Sequence, residues 1–365
     1  LTKLTLERCR ALSSLKGIQD LSLQISRSYG GAVLSLSGCS SLATLEHFPK
    51  NPANFDTLDL SYMKSLKSLD YLPPLSTVKS LRGYGSGFED ISSLHNLPNL
   101  ESAGFSNCSD LKNVECLGEH ANLKTITLAS TAVEKLPQQW QSSLEELDMS
   151  QSSLLTDLGQ LPASLKELTI KGCDALKTLK GIEGCVSLIK LNANQCDQLT
   201  SLEGLQHCTQ LEELHISVLV TDHAALINHK NTQIHVALSS DVGVFPEEWL
   251  ASINQLKDSE LHLVRSSHLY GLSAEKSKFD YSQLSLLQNV KTLNLEKWDF
   301  LLNYDQMVWL LEMPNLQSLR FTQRGRMAYR MGSSVYDDLN KLRKLQETIC
   351  TEGGFTRPAF LIAHD

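Results

Sequence analysis

Three histidines recur at one kind of place in this chain. His235 and His262 each sit between two apolar residues, in Ile234-His-Val236 and Leu261-His-Leu263, and His215 follows suit in Leu214-His-Ile216. Alternation of this kind marks a strand with its apolar side chains on one face and the histidine on the other. Adjacent strands lie about 4.8 Å apart, so on consecutive strands the three imidazoles stand side by side. Such a row either binds a metal ion or senses pH, or it is a solvated polar face. The solvated face is the reading adopted, and neither a resident metal nor a cofactor is expected.

The other residues with chemistry are scattered. Cys108-Ser-Asp110 pairs a thiol with a carboxylate, and Gly83-Tyr84-Gly85-Ser86-Gly87 is a glycine cluster. The cluster either exposes backbone N–H groups to an anion or marks a degenerate repeat or bulge, which is preferred. Arg320, Arg324, Arg326 and Arg330 fall in one stretch with Tyr329 among them. That run suits phosphate, nucleic acid, an acidic protein or an interface, or is a solvated loop. There is no phosphate-binding G-x-x-x-x-G-K-[ST], no H-E-x-x-H, no C-x-x-C and no G-x-S-x-G. No catalytic residue is assigned and no enzyme activity is expected.

The elements that must position these residues come from a repeat. Leu1, Leu4, Leu6, Cys9, Leu12, Leu15 and Ile18 define L-x-x-L-x-L-x-x-C-x-x-L-x-x-L-x-x-[LI], and Leu165 to Ile182 and Leu188 to Leu205 follow it without a shift. Repeats start at Leu1, Gly31, Phe55, Val78, Leu100, Leu123, Leu144, Leu165, Leu188 and Leu211, and from Phe55 the steps are 23, 22, 23, 21, 21, 23 and 23 residues. Positions four and six have period two, so each repeat holds a short strand. The three-residue spacing that follows suits an irregular or 3-10 return. No repeat buries its leucines alone, so neighbours must stack. Position nine holds Cys9, Cys39, Met63, Cys108, Thr131, Cys173 and Cys196, read as small side chains packed between coils. An odd total of nine cysteines, most at fixed positions, suits free thiols in a reducing, cytoplasmic setting.

After about residue 218 the strand cores Ile234–Val236, Leu261–Leu263, Leu293–Leu295 and Leu319–Phe321 lie 27, 32 and 26 residues apart, room for helices between them. Pro246 to Leu256 and Tyr304 to Met313 read as helices, and a helix from Ser334 to Ile349 with Phe355–Ile362 reads as a C-terminal cap. The organisation expected is 1–218 regular repeats with an insertion near 19–32, 219–330 longer irregular repeats, and 331–365 the cap. A start without Met in mid-repeat suggests a fragment of a larger protein.

This template resembles the leucine-rich-repeat superfamily, over at least residues 1–321. The resemblance implies an α/β fold: a horseshoe solenoid with a parallel sheet on its concave side and a short irregular or 3-10 convex side, turning to helical repeats and a helical cap later. Leu34-Ser-Leu-Ser-Gly-Cys-Ser-Ser-Leu42 is similar to repeats of intracellular immune receptors of the nucleotide-binding type. Leu161-Pro-Ala-Ser-Leu-Lys-Glu-Leu168 is similar to repeats of secreted bacterial effectors. Cys108-x-Asp110 resembles the active-site pattern of bacterial ubiquitin ligases that carry such repeats, but here it falls on a core position.

The implied function is protein recognition on the concave face. Its expected residues are Asp59, Arg82, Tyr84, Glu146, Asp148, Glu167, Lys190, Asn192, Glu213, His215, His235, His262, Asn294 and Arg320. The chain is read as the ligand-sensing arm of a larger intracellular receptor, in contact with upstream domains. The alternatives are an effector scaffold acting on host proteins in the host cytosol, and a substrate-recruiting part of an enzyme whose catalytic domain lies elsewhere. A net charge of −8 disfavours nucleic acid, and no apolar run approaches the ~18 residues of a membrane span.

Overall fold

A computed structural model of the chain describes residues 6–17, 25–28, 31–49, 55–141 and 143–217. It also describes 219–265 apart from 228, 230–231, 239–243 and 257–258, then 280–296, 313–316 and 318–322. The expected helix Tyr304 to Met313, the cap at 331–365 and Arg324, Arg326, Tyr329 and Arg330 fall almost wholly outside these residues. The chain divides into two compact units, residues 1–199 with 203–211, and residues 200–202 with 212–365.

In the first unit each repeat, from that starting at Gly31 to that starting at Leu188, contributes one short strand. These are β2 (Gly31–Ser35), β3 (Thr57–Asp59), β4 (Ser80–Arg82), β5 (Ser102–Gly104), β6 (Thr125–Thr127), β7 (Glu146–Asp148), β8 (Glu167–Thr169) and β9 (Lys190–Ala193). Each pairs in parallel with the next, and position four meets position four throughout: Leu34, Leu58, Leu81, Ala103, Ile126, Leu147, Leu168 and Leu191. All eight are at most 2% exposed, as a ladder that faces its own neighbours above and below must be. Full burial of one leucine contributes about 1.5–3 kcal/mol. The segment read as an insertion contains a further strand, β1 (Ile25–Ser28), which pairs antiparallel with β2.

A left-handed residue ends these strands. Arg8, Gly38, Tyr62, Gly85, Asn107, Ser130, Gln151, Gly172 and Gln195 all have φ between 57° and 77°, and all are position eight of the template. Most are not glycine, so each stores on the order of 1 kcal/mol of strain. The backbone recovers it through hydrogen bonds. The N–H at position eight donates to the position-seven carbonyl of the next repeat, as from Tyr62 to Tyr84 (2.7 Å) and from Gln151 to Lys171 (2.6 Å). The N–H at position six likewise donates to position five of the next repeat, as from Leu60 to Arg82 and from Ile170 to Asn192.

A second left-handed site recurs on the return path, near position seventeen, at Gly17, His47, Tyr71, Gly159, Gly181 and Gly204. Gly181 is the most constrained. At φ 104° a Cβ there would lie 1.7 Å from the Gly159 carbonyl oxygen, so only glycine fits. Three return paths contain a 3-10 segment, Ser92–Asn96, Glu115–Glu119 and Leu205–His207, and the others described are isolated turns and irregular backbone, in keeping with the three-residue leucine spacing.

The glycine cluster proves to be a packing device. The pairing of β4 with β5 runs through without a bulge. A Cβ on Gly83 would lie 2.7 Å from Phe88 and 3.0 Å from Phe105, whose rings meet edge to face at 5.7 Å. Two aromatic rings thus fill the volume of one leucine. The N–H groups of Gly83, Gly85, Ser86 and Gly87 all donate to backbone carbonyls, which removes the anion-binding alternative.

The second unit has longer strands, β10 (Glu213–Ser217), β11 (Gln233–Leu238), β12 (Ser259–Arg265), β13 (Val290–Glu296) and β14 (Ser318–Thr322), again parallel. Leu214, Ile234, Leu261, Leu293 and Leu319 are in register. The Pro246 segment forms the one α-helix among the described residues, α1 (Glu247–Ile253). It is shorter than the expected 246–256, with Pro246 preceding its first turn and Glu247 and Glu248 at its positive end. Helix content is therefore low: the other described turns of this unit, Ala224–Leu226 and Tyr281–Leu286, are 3-10. No helix among the described residues is long and apolar enough to cross a membrane.

Candidate functional site

The position-nine column comes first, because it carries most of the cysteines. Cys39 Sγ donates to the Leu6 carbonyl (2.7 Å), Cys108 to Gly83 (3.1 Å), Cys173 to Met149 (3.2 Å) and Cys196 to Ile170 (3.0 Å). Each acceptor is position six of the preceding repeat. Ser86 and Ser152 do the same, to Leu60 (2.7 Å) and Leu128 (3.0 Å), and belong to the column although they are neither Cys nor Asn. Counting nine from Val78 and Leu144 identifies them. The small donor adds a bond from the next repeat to a turn carbonyl that, at Leu6, Gly83, Met149 and Ile170, also accepts the backbone N–H three residues on at 3.1–3.4 Å.

Burial makes these thiols inert. It pushes Cys108 and Cys196 up to about 11 and Cys173 to about 12, so no thiolate forms near neutral pH. Cys185, Cys208 and Cys116 on the return side are raised by burial as well, to about 12, 11 and 12. Asp110 is held by Lys67 at 3.1 Å, and Lys67 also meets Glu89 at 2.8 Å. Cys108 is wholly buried, so Cys108-x-Asp110 is core and surface, with no access for a substrate.

Position five supplies outward side chains, and several of them already have work. Asp59 Oδ1 accepts from the Ser61 N–H (3.0 Å), Asp148 Oδ1 from Ser150 (2.8 Å) and Asn192 Oδ1 from Asn194 (3.2 Å). These are Asx turns that support the left-handed step three residues on. Tyr84 lies over Gly104: a Cβ there would fall 2.5 Å from the Tyr84 hydroxyl. Arg82 is half-buried beside it on β4.

Position three differs. Glu146 and Glu167 are direct neighbours on β7 and β8, both exposed, and Lys190 follows on β9. Thus the acidic pair is real, and Lys190 closes it on one side. Position two, at the start of each strand, alternates in sign: Asp56, Lys79, Glu101, Lys124, Glu145, Lys166. Lys79 meets Glu101 at 2.7 Å, and Lys166 meets Glu145 at 2.6 Å. Ion pairing lowers both glutamates and raises Lys79. This edge neutralises itself and fixes register, since a slip of one repeat would oppose like charges.

The second unit brings the three histidines together. His215, His235 and His262 are in register on β10, β11 and β12. Their rings stack at 4.2 Å with 16° between planes and at 4.0 Å with 28°. A solvated polar face does not describe them: His235 is 8% and His262 5% exposed. Glu213 contacts His215 Nε2, and Glu260 meets His262 Nε2 at 3.0 Å. Glu260 escaped notice in the sequence, although Glu-Leu-His occurs at both 213–215 and 260–262. Asn294 and Arg320 continue the same row on β13 and β14.

No family model matches the chain. It is 30% identical over 176 residues to the disease resistance protein RRS1 of Arabidopsis thaliana, covering 48% of this chain and 11% of that protein. It is 24% identical over 218 residues to the disease resistance protein RPS4B of the same plant, covering 49% and 16%. The chain thus spans about a tenth of the length of the first of these relatives. Among solved structures, an internalin (inlF) of Listeria monocytogenes is 16% identical with a TM-score of 0.40, covering 89% of this chain and 88% of that one. A leucine-rich-repeat protein of Leptospira interrogans is 18% identical with a TM-score of 0.32, covering 95% and 98%. With one parallel strand per repeat and leucines in register, this chain has the architecture of a leucine-rich-repeat solenoid, and about half of it is similar in sequence to plant disease resistance proteins.

Proposed function

We propose that this chain is the protein-recognition arm of a larger intracellular defence receptor, and that the outward face of its strands meets the partner. The observation that carries this is the division of labour on that face. Asp59, Asp148 and Asn192 support turns, whereas Glu146 and Glu167 stand exposed together and have no part in the turns. An exposed acidic pair suits a partner that offers Lys or Arg there. The likeness to disease resistance proteins supports the defence setting, and the free cysteines among the described residues support a reducing compartment. The longer steps after residue 219 are read as the same kind of repeat with helices such as α1 behind the strands, and 331–365 as the cap.

The test is capture from a native lysate with the intact chain, with Glu146→Lys/Glu167→Lys, and with Glu119→Lys on the return side. Asp148 and His235 are unsuitable targets, because one supports a turn and the other is buried. Loss of the captured protein from the double variant alone supports recognition by the outward face. Equal capture by all three baits contradicts it.

A further inference from the structure

We propose that Glu213, His215 and His235 bind a divalent transition-metal ion of the zinc and cobalt class. The ligand atoms of these three side chains all lie within 4.8 Å of one another. They come from adjacent strands in register, β10 and β11, so the backbone fixes their spacing before any ion arrives. Two imidazoles and one carboxylate form a donor set that suits zinc and its neighbours and leaves further positions open.

An ion held at about 2.1 Å from each donor needs donors roughly 3.4 Å apart. The two rings are stacked, 16° from parallel at 4.2 Å, so their in-plane lone pairs do not converge as they stand, and binding requires a large turn of the half-exposed His215 about its side-chain torsions with a tilt of His235 towards it. His262 backs His235 at 4.0 Å from the far side and limits the tilt to the direction of His215. Its own carboxylate, Glu260, repeats the Glu-Leu-His arrangement one strand away. At the intervening place on β11 stands Gln233, paired with both Glu213 and Glu260, so the carboxylates are kept two strands apart. The site is half-buried at Glu213 and His215, whose side chains are 32% and 19% exposed, which leaves an entry path for the ion. This inference is independent of the recognition reading.

The test is titration of the full chain with Co2+ under reducing conditions, followed by absorbance, with Zn2+ as competitor. The expected result is saturation at one equivalent with visible d–d bands and no near-ultraviolet sulfur-to-cobalt charge transfer. Glu213→Gln and His215→Gln each weaken binding at least ~10-fold, and circular dichroism shows both folded. These two partly exposed positions decide the matter even if a variant of buried His235 fails to fold. No saturable binding, a charge-transfer band from thiolate, or unchanged affinity in either variant overturns the proposal.

Discussion

The two units solve one problem, stacking a parallel strand on the next, by different means. In the first unit most strands are three residues long, and each of β2 to β9 is followed by a left-handed residue at position eight. In the second unit the strands run to five, six or seven residues, and no described residue there has a positive φ. The contrast shows what the left-handed step does. Once the backbone turns at position eight, its N–H leaves the ladder and bonds the next turn instead. Without that step the ladder continues and the strand lengthens. The polar interior differs in the same sense. Buried thiols and hydroxyls satisfy turn carbonyls in the first unit, while the second unit buries histidines.

The sharpest way to break this comparison is alkali. A buried thiol with a raised pKa keeps its proton longer folded than unfolded. Its contribution is therefore intact below pH 9 and is lost as pH climbs towards 11 or 12. Six thiols so shifted, Cys108, Cys116, Cys173, Cys185, Cys196 and Cys208, all lie in the first unit, whose unfolding at high pH should release them together to a thiol reagent.

Acid acts on the other unit. His223 is fully buried, edge-on to Trp249 at 6.2 Å and bonded to Ser252, and desolvation lowers it to about 4. A depressed folded pKa means stability present above about 6.5 and lost as pH falls towards 4, roughly 3 kcal/mol in all. His223→Gln should flatten that part of the acid profile in urea unfolding. His120 of the first unit shifts in the same direction through burial.

Two substitutions sharpen the account of the turns. Gly181→Ala combines φ 104° with a contact 1.7 Å from the Gly159 carbonyl, and should cost about 3 kcal/mol in urea unfolding. Cys196→Ala removes one of the two donors to the Ile170 carbonyl, which keeps the Cys173 N–H at 3.2 Å, and should cost about 1 kcal/mol. Cys196→Ser keeps the donor, as Ser86 and Ser152 already do, and should cost less than Cys196→Ala.

Much of this was legible in the residues. The period places each strand, and the register of Leu34 through Leu191 follows from it, because a leucine at position four has one place to be buried. The turns were less legible. Arg8, Tyr62, Asn107 and Gln151 share a left-handed backbone but no side-chain chemistry, so their common role appears only in φ. The outward face was half legible. Outward positions could be counted from the period, but Asp148 and Glu146 look alike until one is seen bonding its own turn and the other is not. The histidine row was placed correctly on neighbouring strands, yet its burial was not foreseen, since an imidazole at an outward position gives no sign that its neighbours will close over it.

The most direct test is pulsed hydrogen exchange, read peptide by peptide after equilibration at pH 4, 7 and 10.5 and a common pulse. If each unit is held by its own buried groups, peptides of the second unit lose protection first in acid and those of the first unit lose it first in alkali. Simultaneous loss across both units at both extremes, or the reverse order, would contradict the account.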